Sequence, residues 1–349
     1  MNDVESISKD LNEPAWLLSI RQGARKLAKE PAAIPALKKP EATNPKNTRA
    51  FTLSEMLQKD AKFAKNAFAS RKIVPEASPQ AAYLNAYFRD CSFIFVDDNK
   101  KAELGMSLGG SLSINFIFLG NNSSLKIYGS AVSDCLDICE MTTGENSRID
   151  CAFLKQKNAY AYRGLSATLG TRSSLCSASF WSGSGHGDTS VMLRGEGSKV
   201  LDVELSIGGN SENLSLRSDF THSANNAESE VIMRGVAQDT SSTAYYGRVT
   251  VEGNGRGSKS ELSQHVLLLD KGAKAEANPV MEIKNKDVEC SHAASVRQLE
   301  EDKLFYLMSR GLPRQQAKTT MVTGFLRGAI NRIEDKDLRN MFRPSFLRE

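Results

Sequence analysis

The chain has 349 residues, of which 40% are hydrophobic and 25% are charged, and its formal net charge is +4. These values are ordinary for a soluble protein: the charge is too small to indicate nucleic-acid binding, and no apolar run approaches the roughly eighteen residues of a membrane span. The N-terminal stretch lacks the apolar core of a secretory signal, and six cysteines without such a signal indicate reduced thiols, so we expect a cytoplasmic protein.

Residues 1–80 predict an N-terminal helical region. Pro14 is favourable at the start of a helix, and apolar residues then recur at helical spacing up to Leu27. A second helix is predicted from Leu53 to Arg71. Between the two helices lies a Pro/Lys-rich stretch that predicts an extended linker. Its prolines are Pro31, Pro35, Pro40 and Pro45.

The stretch from Gln80 to Asn278 contains no proline and is rich in short segments typical of strands, bounded by Gly, Ser, Asn or Asp. The predicted strands are Ser92–Asp98, Ser111–Gly120, Ser124–Gly129, Ser147–Leu154, Ser174–Gly183, Ser190–Gly195, Lys199–Gly209, Asn213–His222, Ser229–Ala237 and Ala244–Gly253. No helices of crossover length interrupt them, which argues against a doubly wound α/β sheet. A sandwich, a barrel and a β-helix all remain possible, and the number of strands favours a β-solenoid.

The C-terminal residues 299–349 predict a helical domain. A short helix from Glu300 to Ser309 is closed by Gly311, and a longer amphipathic helix begins at Pro313. From Lys303 onward ten Lys/Arg residues stand against four Asp/Glu. This excess indicates either a solvated helical face or a docking surface. Nucleic-acid binding is disfavoured because no aromatic platform accompanies the charge.

Cys290 and His292 stand two residues apart where strand-like sequence gives way to a helix. Residues i and i+2 of a strand lie on the same face, so both side chains are expected to leave the same side. A thiol and an imidazole suit iron, zinc or copper, but two ligands do not complete a metal site. The pair therefore indicates either a site shared with another chain or a buried thiol beside a hydrogen-bonded histidine, and residue chemistry alone favours the second.

The remaining chemistry-bearing segments indicate structure rather than function. Cys135, Cys139 and Cys151 lack the spacing of common ferredoxin-type or zinc-ribbon sites, so we expect core thiols, as for Cys91 and Cys176. The glycine-rich segment at residues 183–188 has neither a phosphate-loop nor a dinucleotide-binding pattern and is interpreted as a turn.

Three segments carry a resemblance to a known family: PVMEIKNKDVECSHAASV (Pro279–Val296), LFYLMSRGL (Leu304–Leu312) and AKTTMVTGFL (Ala317–Leu326). The segment EPAWLLSIRQGA (Glu13–Ala24) and the stretch from Asp219 to Val251 extend it. The chain resembles the SufB/SufD family of iron–sulfur cluster assembly scaffolds, and within that family SufD more than SufB.

The resemblance implies a mainly β fold, in which a right-handed parallel β-helix (β-solenoid) at residues 81–298 is flanked by N-terminal and C-terminal helical domains. It also implies a non-catalytic scaffold subunit that pairs with a SufB-like chain and is bound through its C-terminal helices by a SufC-like ABC ATPase. An iron–sulfur cluster would be built transiently at the interface between the two scaffold chains. No Walker motif occurs in this sequence, so no nucleotide is expected to bind to this chain.

The resemblance places His292 at that interface, because it matches the histidine of the SufD Cys-Ser-His motif. Cys290 and His265 are secondary candidates for cluster ligands, the latter because it lies near the position of the acceptor cysteine in SufB. This chain has Gln264 and His265 there, and Ala293 where SufB carries a glutamate. Both differences favour the SufD role and imply that the rest of the site lies on another chain.

For the basic C-terminal tail, the resemblance makes ATPase docking the expected role. The candidate docking residues are Arg310, Gly311, Arg314, Phe325 and Arg327.

Two other functions remain open. A β-helix carbohydrate-active enzyme would use clustered carboxylates or basic residues along one solenoid face, but such enzymes are typically exported, and this chain has no signal peptide. A structural homodimer would pair through the exposed strand edge expected at a solenoid end.

Overall fold

The computed structural model describes residues 4–29, 46–108 and 112–342. The predicted Pro/Lys-rich linker, with Pro31, Pro35, Pro40 and Pro45, lies outside the described residues.

Four helices and one strand precede the main sheets. They are α1 (Val4–Asp10), α2 (Ala15–Leu27), β1 (Thr48–Thr52), α3 (Leu53–Ala69) and α4 (Pro79–Tyr87). Pro14 is the N-cap of α2, as the sequence predicts. Thr52 and Glu55 form a capping box at the start of α3, where the Glu55 carboxylate accepts from the Thr52 amide at 2.7 Å. Helix α4 spans the predicted boundary at residue 80, and the first strand that follows it begins at Asp90.

The central part of the chain is a parallel β-solenoid of about eight coils, in agreement with the predicted fold class. Its strands are β2 (Asp90–Val96), β3 (Lys101–Leu108), β4 (Leu112–Leu119), β5 (Ser124–Ala131), β6 (Cys135–Thr143), β7 (Arg148–Lys155), β8 (Ala161–Leu169), β9 (Ser174–Ser182), β10 (Gly185–Leu193), β11 (Lys199–Gly208), β12 (Asn213–His222), β13 (Glu228–Ala237), β14 (Ser242–Val251), β15 (Lys259–Leu268), β16 (Lys274–Ile283) and β17 (Glu289–Gln298).

Successive strands alternate between two sheets. Sheet A contains β1 and the even-numbered strands, and sheet B contains the odd-numbered strands from β3 to β17. Every second residue points into the space between the sheets, where one continuous apolar core runs along the solenoid. On sheet B, for example, Val200, Val231 and Leu262 are all buried within this core.

One corner of the coils is built by residues in the left-handed backbone region. Asn99, Asn122, Asn146 and Asn226 have φ between 50° and 60°, which asparagine tolerates better than most residues. The amide of each bonds to a carbonyl of the next coil; Asn99 N donates to Asn121 O at 2.9 Å, for example. These repeated corners keep the coils in register.

Helices pack on part of the outer face of each sheet. The N-terminal helices pack on sheet A, where Phe68 of α3 contacts Phe116 with ring centroids 4.9 Å apart. Three C-terminal helices, α5 (Glu301–Ser309), α6 (Arg314–Ile330) and α7 (Lys336–Phe342), follow β17. Leu326 and Ile330 of α6 belong to a buried cluster on the outer face of sheet B. The predicted C-terminal helices are confirmed, and Gly311 closes the first with φ +93°.

The two ends of the solenoid differ. At the N-terminal end, β1 pairs antiparallel with β2 and covers that edge of sheet A. At the C-terminal end, β16 and β17 are the last strands of sheets A and B, and within the described residues no strand pairs with their outer edges. This uncovered end is called the open end below.

All ten predicted strands overlap strands of the structure, whereas β1, β3, β6, β8 and β15 to β17 are not among those ten. In β6 and β8 a charged residue occupies an inward position: Asp137 pairs with Arg163, and both are buried between the sheets. The expected alternation of apolar and polar residues is therefore broken in these two strands.

Candidate functional site

Strand β17 carries both residues of the Cys-x-His pair. Cys290 is paired with Ser260 of β15, and His292 is paired with Leu262. Leu262 is fully buried in the solenoid core, so this row of β15 faces inward. Cys290 and His292 therefore lie on the inward-facing side of the last strand, in agreement with the prediction that they share one face.

The environments of the two side chains differ. Cys290 is half-buried and packs against the solenoid core. Burial raises the pKa of its thiol, while a hydrogen bond from the Ser260 backbone opposes this. His292 is exposed, because within the described residues no coil follows β17 to cover it. The imidazole is thus free to bind a ligand at the open end.

Apolar side chains surround this position on the last coil. Ile283 of β16 and Val296 of β17 are 45% and 42% exposed. Val296 is paired with Val266, which is buried, so it continues the same inward row as His292. Large apolar residues beside two unpaired strand edges are typical of a surface that another chain covers.

His265 does not join this site. It is paired with Ser295, three positions after His292, and therefore lies on the opposite face of sheet B. Its Nδ1 is 2.6 Å from the Ser295 hydroxyl. Burial lowers the pKa of His265, and repulsion from Arg234 and Arg297 lowers it further. The role of His265 as a cluster ligand stays a prediction. Its side chain lies on the face of the sheet opposite to His292, so the two imidazoles do not face a common site.

The candidate docking residues occupy two places on the C-terminal helices. Arg310, Gly311 and Arg314 lie at the turn between α5 and α6, where Arg310 stacks on Tyr306 at 5.4 Å and Arg314 bonds to Glu301 at 3.1 Å. Arg327 is exposed further along α6. Phe325 is half-buried against the solenoid, and the guanidinium carbon of Arg297 lies 6.0 Å from the centroid of the Phe325 ring. The turn residues and Arg327 are thus open to a partner, whereas Phe325 mainly packs internally.

The expectation that the other cysteines are core thiols is confirmed. Cys91, Cys135, Cys139, Cys151 and Cys176 are buried and reduced. Across residues 4–29, 46–108 and 112–342, no three His, Cys, Asp or Glu side chains come together as a metal site. Within that part of the chain, Cys290 and His292 are therefore at most part of a binding site.

The interpretation of residues 183–188 as a turn is wrong for most of the segment. Gly183 has φ +86° and forms the turn, but β10 begins at Gly185. His186 and Asp188 belong to this strand, and the Asp188 carboxylate accepts from Ser78 at 2.7 Å and from Tyr162 at 3.0 Å. The small residues Gly185 and Gly187 fit here because the Trp181 ring lies within 3.1 Å of a Cβ built at either position.

Sequence reasoning missed the apolar residues of the open end. Ile283 and Val296 stand in alternating strand-like sequence, where such residues normally point into a core. They are surface residues only because β16 and β17 are the last strands of the solenoid. The one sequence signal for this was the change from strand-like to helical sequence after Gln298.

No described helix is both long and apolar enough to span a membrane.

Comparison with known proteins identifies the family of this chain. A family model described as SUF system FeS cluster assembly, SufBD core domain, matches residues 105–325. An iron–sulfur cluster assembly SufBD family protein of Mycobacterium leprae is 32% identical over 136 residues, which cover 39% of this chain and 16% of that protein. The iron–sulfur cluster assembly proteins SufD and SufB of Bacillus subtilis are 28% identical over 146 residues and 27% identical over 135 residues.

The match to the Bacillus subtilis SufD covers 42% of this chain and 33% of the relative, and the match to SufB covers 39% and 29%. The matched stretches therefore span about a third or less of these relatives. The family model, by contrast, covers well over half of this chain. The protein belongs to the SufB/SufD family of the SUF iron–sulfur cluster assembly system.

Proposed function

We propose that this chain is a SufD-like, non-catalytic scaffold subunit that pairs through its open end with a SufB-like chain, and that a nascent iron–sulfur cluster is built between them. The observation that carries the proposal is the position of His292, exposed on the inward row of the last strand beside Val296 and two unpaired edges. A partner that covers this end would bury the imidazole at the centre of the interface.

The cluster is cargo of this site, and the chain supplies part of its ligands. His292 provides an imidazole nitrogen, and Cys290 provides a thiol on the same face of β17. Both donors suit iron, which accepts thiolate and imidazole ligands. The remaining ligands are proposed to come from the partner, because the described residues bring no third donor to the pair.

The proposed ATPase surface lies on the C-terminal helices. Arg310, Gly311 and Arg314 form a basic turn directly after α5, and α5 exposes Phe305 and Tyr306 beside it, at 72% and 56%. Exposed aromatic and arginine side chains are enriched at protein interfaces. Because α5 begins three residues after β17 ends, movement of a docked ATPase would act directly on the strand that carries His292.

The proposal is tested by co-expressing the tagged chain with a SufB-like chain and a SufC-like ATPase and measuring what co-purifies. Val296→Lys places a charge in the proposed interface, and we expect it to weaken binding of the SufB-like chain at least about tenfold. Val132→Lys is the matched control, because Val132 is 51% exposed in the turn between β5 and β6. A wild-type chain that binds neither partner would refute the proposal.

A homodimer through the same end is a second candidate, favoured by the same unpaired edges of β16 and β17. Light scattering of the isolated chain decides whether it forms: a dimer that Val296→Lys dissociates supports self-pairing, and a monomer at high concentration excludes it.

A further inference from the structure

A cavity of about 440 Å³ lies far from the open end, between the C-terminal half of α3 and the outer face of sheet A. Strands β4, β6, β8 and β10 form its floor, and α3 with the residues that follow it forms the opposite wall. Cavities of this volume are typical of small-molecule sites. The family resemblance assigns no role to it.

One wall of the cavity is aromatic. Asp60 interrupts α3, and its carboxylate accepts from the Phe63 amide at 2.8 Å, which starts the second half of the helix. Phe63 then meets Phe118 edge to face, with ring centroids 5.0 Å apart. Both rings are half-buried and line the cavity together with Met192. The uncovered parts of these side chains offer an apolar surface to a flat ligand.

The other wall is cationic and contains a buried arginine. Arg71 is only 7% exposed, yet it lines the cavity. Its Nε donates to Phe68 O at 3.0 Å and its Nη1 donates to Asn85, whereas Nη2 has no hydrogen-bond partner among the described residues. Burial lowers the pKa of Arg71 to about 10, and attraction to Glu140 and Glu76 only partly opposes this.

Two further cations stand at the rim. Lys72 and Arg194 line the cavity and are exposed, and neither side chain forms an ion pair within the described residues. Glu140 is the one carboxylate among the lining residues, and its oxygens are taken up by the amides of Lys72 at 3.3 Å and Ile73 at 3.0 Å. The cavity thus presents three cations against one carboxylate that is already bonded.

From these two walls we infer a second binding site, for a small organic anion that carries an aromatic ring system and a phosphate or carboxylate group. The ring would lie against Phe63 and Phe118. The anionic group would accept from Arg71 Nη2 and pair with Lys72 and Arg194, since guanidinium groups bind such oxyanions with directed hydrogen bonds. This inference is independent of the proposed scaffold function.

The test uses isothermal titration calorimetry of the full chain with 1-naphthyl phosphate, inorganic phosphate and 1-naphthol. We expect saturable one-to-one binding of 1-naphthyl phosphate, at least about tenfold tighter than either fragment, because each fragment meets one wall only. The double variant Lys72→Ala/Arg194→Ala should weaken this binding at least tenfold. Lys271→Ala/Lys286→Ala removes the same two charges from exposed positions near the open end and should change nothing.

Three results would overturn the inference. The first is no saturable binding of 1-naphthyl phosphate. The second is equal affinity for inorganic phosphate, which would show that the aromatic wall takes no part. The third is an equal loss of binding in both double variants, which would indicate general attraction to a positively charged protein. Circular dichroism confirms that the variants fold, and all four substituted residues are exposed.

Discussion

Leu262 and His292 are paired neighbours on β15 and β17, yet the leucine is fully buried and the histidine is exposed. Both side chains belong to the same inward-facing row, so the difference arises only because the solenoid ends at β17. A position that is a core position in every preceding coil thereby becomes a surface position in the last one. The structure places the imidazole where the next coil would have stacked.

We expect His292→Ala to impair cluster assembly while leaving the fold intact. An exposed side chain contributes little to folding, so the free energy of unfolding should change by no more than about 0.5 kcal/mol. Cluster yield in anaerobic reconstitution with the partner chains should fall clearly, and Cys290→Ala should have a smaller effect because that thiol is half-buried. Ser291→Ala is the matched control, because Ser291 is exposed on the opposite face of the same strand. An unchanged yield for His292→Ala would contradict the proposed ligand role.

The fold could be predicted in outline because the signals that define it are local. Turn residues between short strands and the absence of crossover helices indicated a β architecture, and Pro14 and Gly311 marked helix ends that the structure confirms. Helix α4 was missed although Ser78 caps it and Pro79 starts it, because all residues from Ala81 to Ala86 are buried and no polar face reveals the helical period. Likewise Asp137 and Arg163 hid two strands, because an inward-facing charge breaks the local alternation and the two residues become neighbours only once the coils have stacked.

The site could be predicted only in part, for a similar reason. The spacing of Cys290 and His292 was enough to place them on one face, since strand periodicity is local. That His265 lies on the other face required the register of β15 against β17, which no local pattern encodes. The exposure of Ile283 and Val296 likewise depends on where the stack of coils ends.

We expect Arg21→Ala to destabilise the N-terminal helices strongly. Arg21 and Glu13 are fully buried, and Arg21 Nε and Nη2 bond to the two Glu13 oxygens at 2.7 and 2.6 Å. Its Nη1 also donates to Ala86 O at 2.9 Å, and its guanidinium lies 3.8 Å from the Phe88 ring centroid. Removal of the arginine leaves a buried carboxylate unpaired, which costs about 3–5 kcal/mol. Urea denaturation measures the loss.

The double variant Arg21→Met/Glu13→Leu tests the cause of that loss. Replacement of both charges by apolar residues leaves no unpaired charge, so we expect it to be less destabilising than Arg21→Ala alone. If the double variant is the less stable of the two, packing of the guanidinium on Phe88 matters more than the buried charge.

The stability of the chain should fall with acid through His222. This imidazole is fully buried, its Nε2 is 2.8 Å from the Ser229 hydroxyl, and burial lowers its pKa to about 4. The unfolded chain binds a proton near pH 6.5, whereas the folded chain does not until about pH 4. The stability that the neutral imidazole contributes is therefore complete above pH 6.5 and is lost as pH falls toward 4, by about 3 kcal/mol.

His222→Gln isolates this contribution, because the amide can still bond to Ser229 but does not titrate. Urea midpoints at about pH 7, 5.5 and 4.5 should decline less steeply for the variant than for the wild type. Other acidic groups titrate in both proteins and cancel in the comparison. If the urea midpoints of the wild type and the variant decline equally as the pH falls, His222 has the same pKa in the folded and unfolded chains.

Asp202→Asn should stabilise the protein at neutral pH. Asp202 is fully buried between the sheets, and neither of its carboxylate oxygens has a hydrogen-bond partner among the described residues. Burial raises the pKa of Asp202 well above its usual value, and the neighbouring Glu204 raises it further, while Arg163 only partly opposes this. The unfolded carboxyl ionises near pH 3.8 but the folded one resists ionisation, so rising pH progressively disfavours the folded state.

An asparagine at this position keeps the shape of the side chain and removes its charge, so the free energy of unfolding should rise by about 1–3 kcal/mol at about pH 7. At about pH 3 the wild-type carboxyl is protonated in the folded state and mostly so in the unfolded one, and the advantage of the amide over the acid should disappear there. The measurement is the free energy of unfolding of both proteins at the two pH values. A destabilised variant at neutral pH would instead mean that the Asp202 carboxylate is ionised and compensates Arg163, which lies across the core on the facing sheet.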